Sequence, residues 1–209
     1  MKKTIITISR ETGSGGHTIG MMLAERLGFK LYDEEIVTQI SKESGMSEEM
    51  VLENGEFMSD GMFLDFAAGF IPFSRKKTIP FEEIQQREET LIKKIAKEGN
   101  CIIVGRGADF ILKDDPKAFH VFIHADMDHR VKRVQRHDNV TGEEARIKRE
   151  LEVKDRSRKA YYHYFTNKDW GTVGNYNMTL DTSIFTKTQC TDLIIEALKK
   201  LEENENAKN

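Results

Sequence analysis

Between Arg10 and Thr18 the chain reads Arg10-Glu11-Thr12-Gly13-Ser14-Gly15-Gly16-His17-Thr18. Three glycines fall within four residues, directly after a β-branched apolar run and directly before a helical pattern. A strand, a glycine-rich loop and a helix start gather several backbone N–H groups around one point, and the positive end of the helix dipole adds to them. Such a point suits a phosphate group. Glycine is needed there because parts of the loop require positive φ and the backbone must approach its ligand closely. A tight strand-to-helix turn is the plainer explanation, but turning alone does not call for three glycines in four residues.

The loop departs from the G-x-x-x-x-G-K-[ST] pattern, which would place glycine at 10, lysine at 16 and a hydroxyl residue at 17. Arg10, Gly16 and His17 stand there instead, and Gly15 alone matches. The lysine of that pattern supplies charge to the β- and γ-phosphates, and the hydroxyl a magnesium ligand. Arg10, at the loop's mouth, is the candidate substitute cation. Thr18 or Ser14 is the candidate hydroxyl. His17 is either a phosphate donor or a filler of space.

Further along, Arg106 follows the apolar Ile102-Ile103-Val104 and stands between Gly105 and Gly107. That is the carboxyl end of a buried strand, where open α/β sheets place ligands. In a long charged helix, Arg149 and Arg156 lie seven residues apart on one face, while Asp155 and Arg158 share a neighbouring face. Arginine forks bind phosphate bidentately and stay charged when desolvated, which is what phosphoryl transfer asks of a protein. Arg146 and Lys148 read as a solvated face. His120 and His124 read as structural histidines, and His163, among Tyr161, Tyr162, Tyr164 and Phe165, as a packed helix end. Cys101 and Cys190 stand far apart without C-x-x-C spacing and read as buried thiols, so no structural zinc is expected.

Strands must hold these residues at one edge. Lys3–Ser9 is β-branched and apolar on both faces, as a strand inside a parallel sheet should be. Residues 100–104 and 119–123 are similar, and 30–32 and 178–180 are shorter candidates. Helical spacing covers 18–27, 82–98, 126–136, a long stretch from a Thr141/Glu144 capping box to Tyr164, and a last helix opened by Thr186 and Gln189. Alternating strands and helices imply a parallel, doubly wound sheet. Residues 34–80 break the rhythm with Met46, Met50, Phe57, Met58, Met62, Phe63, Phe66, Phe70 and Phe73, read as an inserted helical region. It is either a satellite core or a mobile flap over a substrate.

Bulk properties bound the rest. With 209 residues, 38% apolar and 32% charged, one globular domain with insertions is expected. The net charge of −3 gives no overall field for nucleic acid. No apolar run is long enough to cross a bilayer, and the one from Thr4 to Ile8 is too short for a secretion signal, so a cytoplasmic protein is expected. The polar tail near 202–209 is expected to fray.

Taken together, Ser9-Arg10-Glu11-Thr12-Gly13-Ser14-Gly15-Gly16 resembles the S-R-x-x-G-S-G-G opening of the cytidylate kinase-like branch of the P-loop nucleoside monophosphate kinases, a branch that lacks the usual loop lysine. Leu31-Tyr32-Asp33, Ile103-Val104-Gly105-Arg106-Gly107, Phe122-Ile123-His124-Ala125 with Arg130 and Arg133, Lys154-Asp155-Arg156-Ser157-Arg158 and Leu180-Asp181-Thr182-Ser183 resemble further steps of that family in the same order. The resemblance covers about residues 3–201. It departs at Asp33-Glu34-Glu35-Ile36, where cytidylate kinases carry D-T-G-A, and at the G-R step, whose flanking aspartates are absent. Both departures fall on the acceptor side and leave the acceptor open.

The resemblance implies an α/β, P-loop NTPase-like three-layer sandwich with a five-stranded parallel sheet, a helical insertion that binds the nucleoside monophosphate, and a lid. A single domain over 1–209 then has its core at about 1–33, 81–136 and 170–201, the insertion at 34–80 and the lid at 137–169. Gly13, Ser14, Gly15, Gly16, His17 and Thr18 would bind the phosphates of ATP. Arg10, Arg156 and Arg158 would serve the transfer, and Asp33, Arg106 and Asp155 the acceptor. The expected activity is transfer of the ATP γ-phosphate, with Mg2+, to a monophosphate of the CMP or dCMP kind. A nucleotide sensor that has lost the chemistry is the competing class, and a kinase for another small acceptor a third. The partners implied are small nucleotides, with neither nucleic acid nor membrane, and a homo-oligomer stays open.

Overall fold

A computed structural model describes residues 3–53, 81–137 and 143–207. Strand β1 (Ile5–Arg10) runs into helix α1 (Gly16–Leu27), and β2 (Lys30–Tyr32) into α2 (Glu34–Ser44) and α3 (Glu48–Glu53). Then come α4 (Phe81–Glu98), β3 (Cys101–Val104), a one-turn α5 (Ala108–Ile111) and β4 (Ala118–His124). The chain ends with α6 (Met127–His137), α7 (Glu144–Thr166), β5 (Met178–Asp181) and α8 (Lys187–Asn206).

The strands form one sheet in the order β2-β3-β1-β4-β5. All pairs are parallel; Ile8 lies beside Val104 on one side and Val121 on the other. The period of two in side-chain direction decides which layer each residue joins. Ile6, Ile8, Ile102 and Val104 pack with Ile19 and Leu23 of α1 and Cys190 and Ile194 of α8. Ile5 and Ile103 point the other way, onto Ile36, Ile40, Val51, Ile84 and Ile92 of α2, α3 and α4. These are the three layers. Each fully buried isoleucine contributes about 1.5–3 kcal/mol relative to exposure. Helix α1 lies close to the sheet because Gly20 has no side chain: an added Cβ would come within 3.2 Å of Leu31 and 3.4 Å of Val104.

β2 and β3 are added on one side of β1 and β4 and β5 on the other, so the crevice at its carboxyl end is the switch point of the sheet. The described part of the insertion, α2 and α3, packs into the main core rather than forming a satellite. Met46 adds to that packing, while residues 54–80 and Thr141 lie outside the described residues. Several boundaries differ from the sequence reading. Helix α1 starts at Gly16, because the loop's last glycine already has helical geometry. Helix α8 continues to Asn206 where fraying was expected, carried on by an i, i+3 pair between Lys200 and Glu203. The capping box of α8 is reciprocal: the Thr186 N–H donates to Gln189 Oε1 (2.9 Å) and the Gln189 N–H to Thr186 Oγ1 (3.2 Å). Both thiols are buried, and burial pushes Cys101 up to about 11.

Candidate functional site

The loop after β1 is a turn that leaves the donors of its second half free. Ser14 closes the turn, donating from both its N–H (3.2 Å) and its hydroxyl (2.8 Å) to the Glu11 carbonyl. Gly13 and Gly15 take φ of 82° and 91°, the left-handed region that favours glycine. Among the described residues, the amides of Gly15, Gly16, His17 and Thr18 donate to no protein acceptor. They are the unpaired donors of a helix start, at the sheet's switch point. The Ser14 hydroxyl is engaged, whereas the Thr18 hydroxyl donates to no acceptor among the described residues.

Where a lysine would stand, Gly16 faces Arg10. A Cβ at 16 would lie 2.5 Å from Arg10 Cβ and 2.9 Å from its Cγ. Arginine at 10 and glycine at 16 are therefore one packing unit: the first fills the space that the second leaves. The Arg10 guanidinium then reaches Asp33 at 3.7 Å, and the His17 ring bonds the same carboxylate at 2.6 Å. Arg10, His17 and Asp33, predicted separately as cation, loop donor and acceptor ligand, thus form one cluster.

Helix α7 is fastened to the loop by buried polar groups. Asp155, 6% exposed, accepts from the Thr12 N–H (2.8 Å), the Thr12 hydroxyl (2.7 Å) and Arg130. Arg158, 5% exposed, donates to Thr12 Oγ1 and Asp155. One turn on from Arg158, Tyr161 donates to Glu88 of α4, and Tyr162 to Asp109 of α5 (2.6 Å), which also accepts from Ser9 (3.1 Å). Burial first and Asp109 second hold the Tyr162 phenol well above its ordinary pKa, so it stays a donor. Asp155, Arg158 and Tyr162 recur at helical spacing along one face, so the segment expected to be a lid is closed over Thr12 by its own side chains. Arg156 is exposed. It lines a cavity of about 270 Å3 with Glu11, Met127, Arg130, Glu152 and Lys159.

Arg106 takes a positive φ of 58° between Gly105 and Gly107, so the backbone turns as the flanking glycines suggested. Its side chain is 4% exposed and donates to Glu88, itself 1% exposed, at 2.7 Å. It is enclosed rather than facing an open cleft. Arg146 and Lys148 of α7 are exposed as expected, Arg146 pairing with Glu150, and His120 is a structural histidine on Thr7, lowered to about 4 by burial. His163 departs from expectation: it is half exposed and reaches Asp169 at 3.6 Å.

On the loop's other flank stand Arg133 of α6 and Lys187 at the start of α8. A Cβ at Gly15 would meet Arg133 Nε and Lys187 Cδ, each at 3.3 Å. Arg133 donates to Thr18 Oγ1 (3.2 Å), and Thr182, after β5, donates to the Ser14 carbonyl (2.8 Å).

With this geometry in place, residues 5–184 match the model of the cytidylate kinase-like family. The chain belongs to that family. It is 26% identical over 210 residues to the cytidylate kinase of Methanopyrus kandleri, covering 96% of each chain. A crystal structure of an uncharacterized protein from Eubacterium ventriosum superposes with a TM-score of 0.69 at 27% identity, over 93% of this chain and 98% of that one. The shikimate kinase of Bacteroides thetaiotaomicron shares the fold, with a TM-score of 0.53 at 16% identity over 96% and 98% of the two chains. This member is a nucleotide kinase-like P-loop protein. Among the described residues no helix is long and apolar enough to cross a membrane.

The family motifs drew attention to Arg106 and Asp155 but not to their partners. Glu88 sits in the charged run Gln85-Gln86-Arg87-Glu88-Glu89, which reads as solvent-facing, and Asp109 lies just past the quoted Gly105-Arg106-Gly107 step, outside it. One signal was available for Glu88: Ile84, Leu91, Ile92 and Ile95 set the buried stripe of α4, and position 88 lies on it. Lys187 carried no signal.

Proposed function

We propose that this family member transfers the γ-phosphate of ATP to a nucleoside monophosphate of the CMP or dCMP kind. The observation that carries this is the row of free amides from Gly15 to Thr18 at the switch point of the sheet, with Arg133 beside it. Backbone donors and fixed guanidinium groups suit a reaction whose catalysis is mostly positioning and charge neutralisation. Magnesium, when bound, neutralises β- and γ-oxygens; in such sites phosphates, water and one or two protein oxygens hold it, and Thr18 Oγ1 fits as one of these. Asp155 and Arg158 hold Thr12 and so keep the loop's shape. Arg156 is exposed at the cavity edge, where an entering phosphate could meet it.

A second reading, a nucleotide-binding module without transfer, is favoured by the Arg106–Glu88 pair. An arginine already neutralised by a buried carboxylate offers less charge to an acceptor's phosphate. One experiment separates the two: ADP release from ATP and magnesium, measured against each nucleoside monophosphate in turn. Turnover with CMP or dCMP supports the kinase. ATP binding without turnover of any monophosphate supports the second reading.

A further inference from the structure

One electrostatic feature of the site is a pair of like charges drawn to the same glycine. The Lys187 side chain runs along the backbone of Gly15, its Cδ and Cγ 3.3 and 3.6 Å from where a Cβ would stand. Arg133 approaches the same glycine with its Nε, which is buried and makes no hydrogen bond. Among the described residues the Lys187 ammonium makes no hydrogen bond or ion pair, and the Arg133 guanidinium bonds only the Thr18 hydroxyl. Lys187 is also the first residue of α8, where the helix dipole disfavours a cation. The start of α1 adds a second positive helix end at the same place. Burial and Arg133 both depress the Lys187 pKa. Two cations and two helix starts without a carboxylate are unfavourable until an anion joins them.

The geometry points to Lys187, supported by Arg133, as the cation that stands in for the missing loop lysine and binds the β- and γ-phosphates of a nucleoside triphosphate. Position 16 cannot carry that charge while Arg10 fills its space, and Arg10 is itself directed to Asp33. Lys187 comes to the loop from the far end of the chain. This assignment rests on the reading of the loop as a triphosphate site.

The test uses the full chain with Lys187→Gln and Lys187→Arg, titrated calorimetrically with ATP and with tripolyphosphate, both with magnesium. Melting temperature is measured without ligand. Lys187→Gln should weaken both ligands by about 10- to 100-fold, the worth of a hydrogen bond to a charged group. Lys187→Arg should retain most of the affinity. Without ligand, Lys187→Gln should melt no lower than wild type, because it removes a repulsion. A structural lysine would give the opposite sign. Unchanged affinities, a loss confined to ATP, or a lower melting temperature would each overturn the assignment of Lys187 and leave the loop reading standing. A wild-type protein that binds neither ligand would overturn both.

Discussion

The two flanks of the phosphate loop treat charge in opposite ways. On the side of α7 and the carboxyl ends of β2 and β3, the charges nearest the loop are matched: Asp155 with Arg130 and Arg158, Arg106 with Glu88, Asp33 with Arg10 and His17. On the α8 flank, Arg133 and Lys187 meet without a counter-charge among the described residues. Both flanks carry basic side chains on helices, so composition does not distinguish them. The difference is that a matched buried charge is committed to holding the fold, whereas an unmatched one is available to a ligand.

The largest expected effect breaks the matched flank. Arg106→Ala takes the cationic partner from Glu88, which is 1% exposed, and should cost about 3–5 kcal/mol in urea denaturation. The double variant Arg106→Met, Glu88→Leu should recover most of that loss. A single variant of wild-type stability would show that the pair is not what holds this region.

Asp155→Asn comes next. It removes the one carboxylate between Arg130 and Arg158, at an expected cost of about 3 kcal/mol. Because Asp155 also holds the Thr12 N–H, ATP affinity should fall together with stability. A variant that loses only acceptor affinity would assign Asp155 to the acceptor after all.

The loop itself offers a smaller test. Gly16→Ala should cost about 1–3 kcal/mol, since its Cβ would sit 2.5 Å from Arg10 Cβ. Adding Arg10→Gly should remove most of that penalty. Thermal melts of the four proteins of the cycle give the coupling, and additivity would refute the packing unit.

The smallest effect sharpens the unmatched flank. Thr186→Ala removes the cap of α8, worth about 1 kcal/mol, and loosens the turn that presents Lys187. ATP affinity should drop a few-fold while the melting temperature moves little. No change in affinity would mean that Lys187 does not depend on the cap.

How far the sequence spoke follows from how local each signal is. β-branched runs and helical spacing are local, so β1 to β5, α1, α4, α6, α7 and the start of α8 were readable to within a few residues, whereas α2 and α3 were legible only as part of a helical region. The three glycines of the loop announce backbone geometry, and that too is local. The fate of a charge is not. Arg106 was marked by its strand and glycines and Lys187 by nothing, yet neither sequence context tells that Glu88 meets the first and Arg133 the second. The fit of Gly16 to Arg10 was hidden for the same reason: six residues apart in sequence, the two touch only because the loop turns back between them.

The fasteners of this loop also set a timetable for the protein's birth. Ser9 waits for Asp109, Glu11 for Ala125, Thr12 for Asp155 and Ser14 for Thr182, separations of 100, 114, 143 and 168 residues. A chain leaving the ribosome has its glycine loop first and the parts that shape it last. The amide nest is completed only once β5 has emerged, so a nascent fragment ending before α7 carries the signature motif in a form not yet shaped to hold a triphosphate.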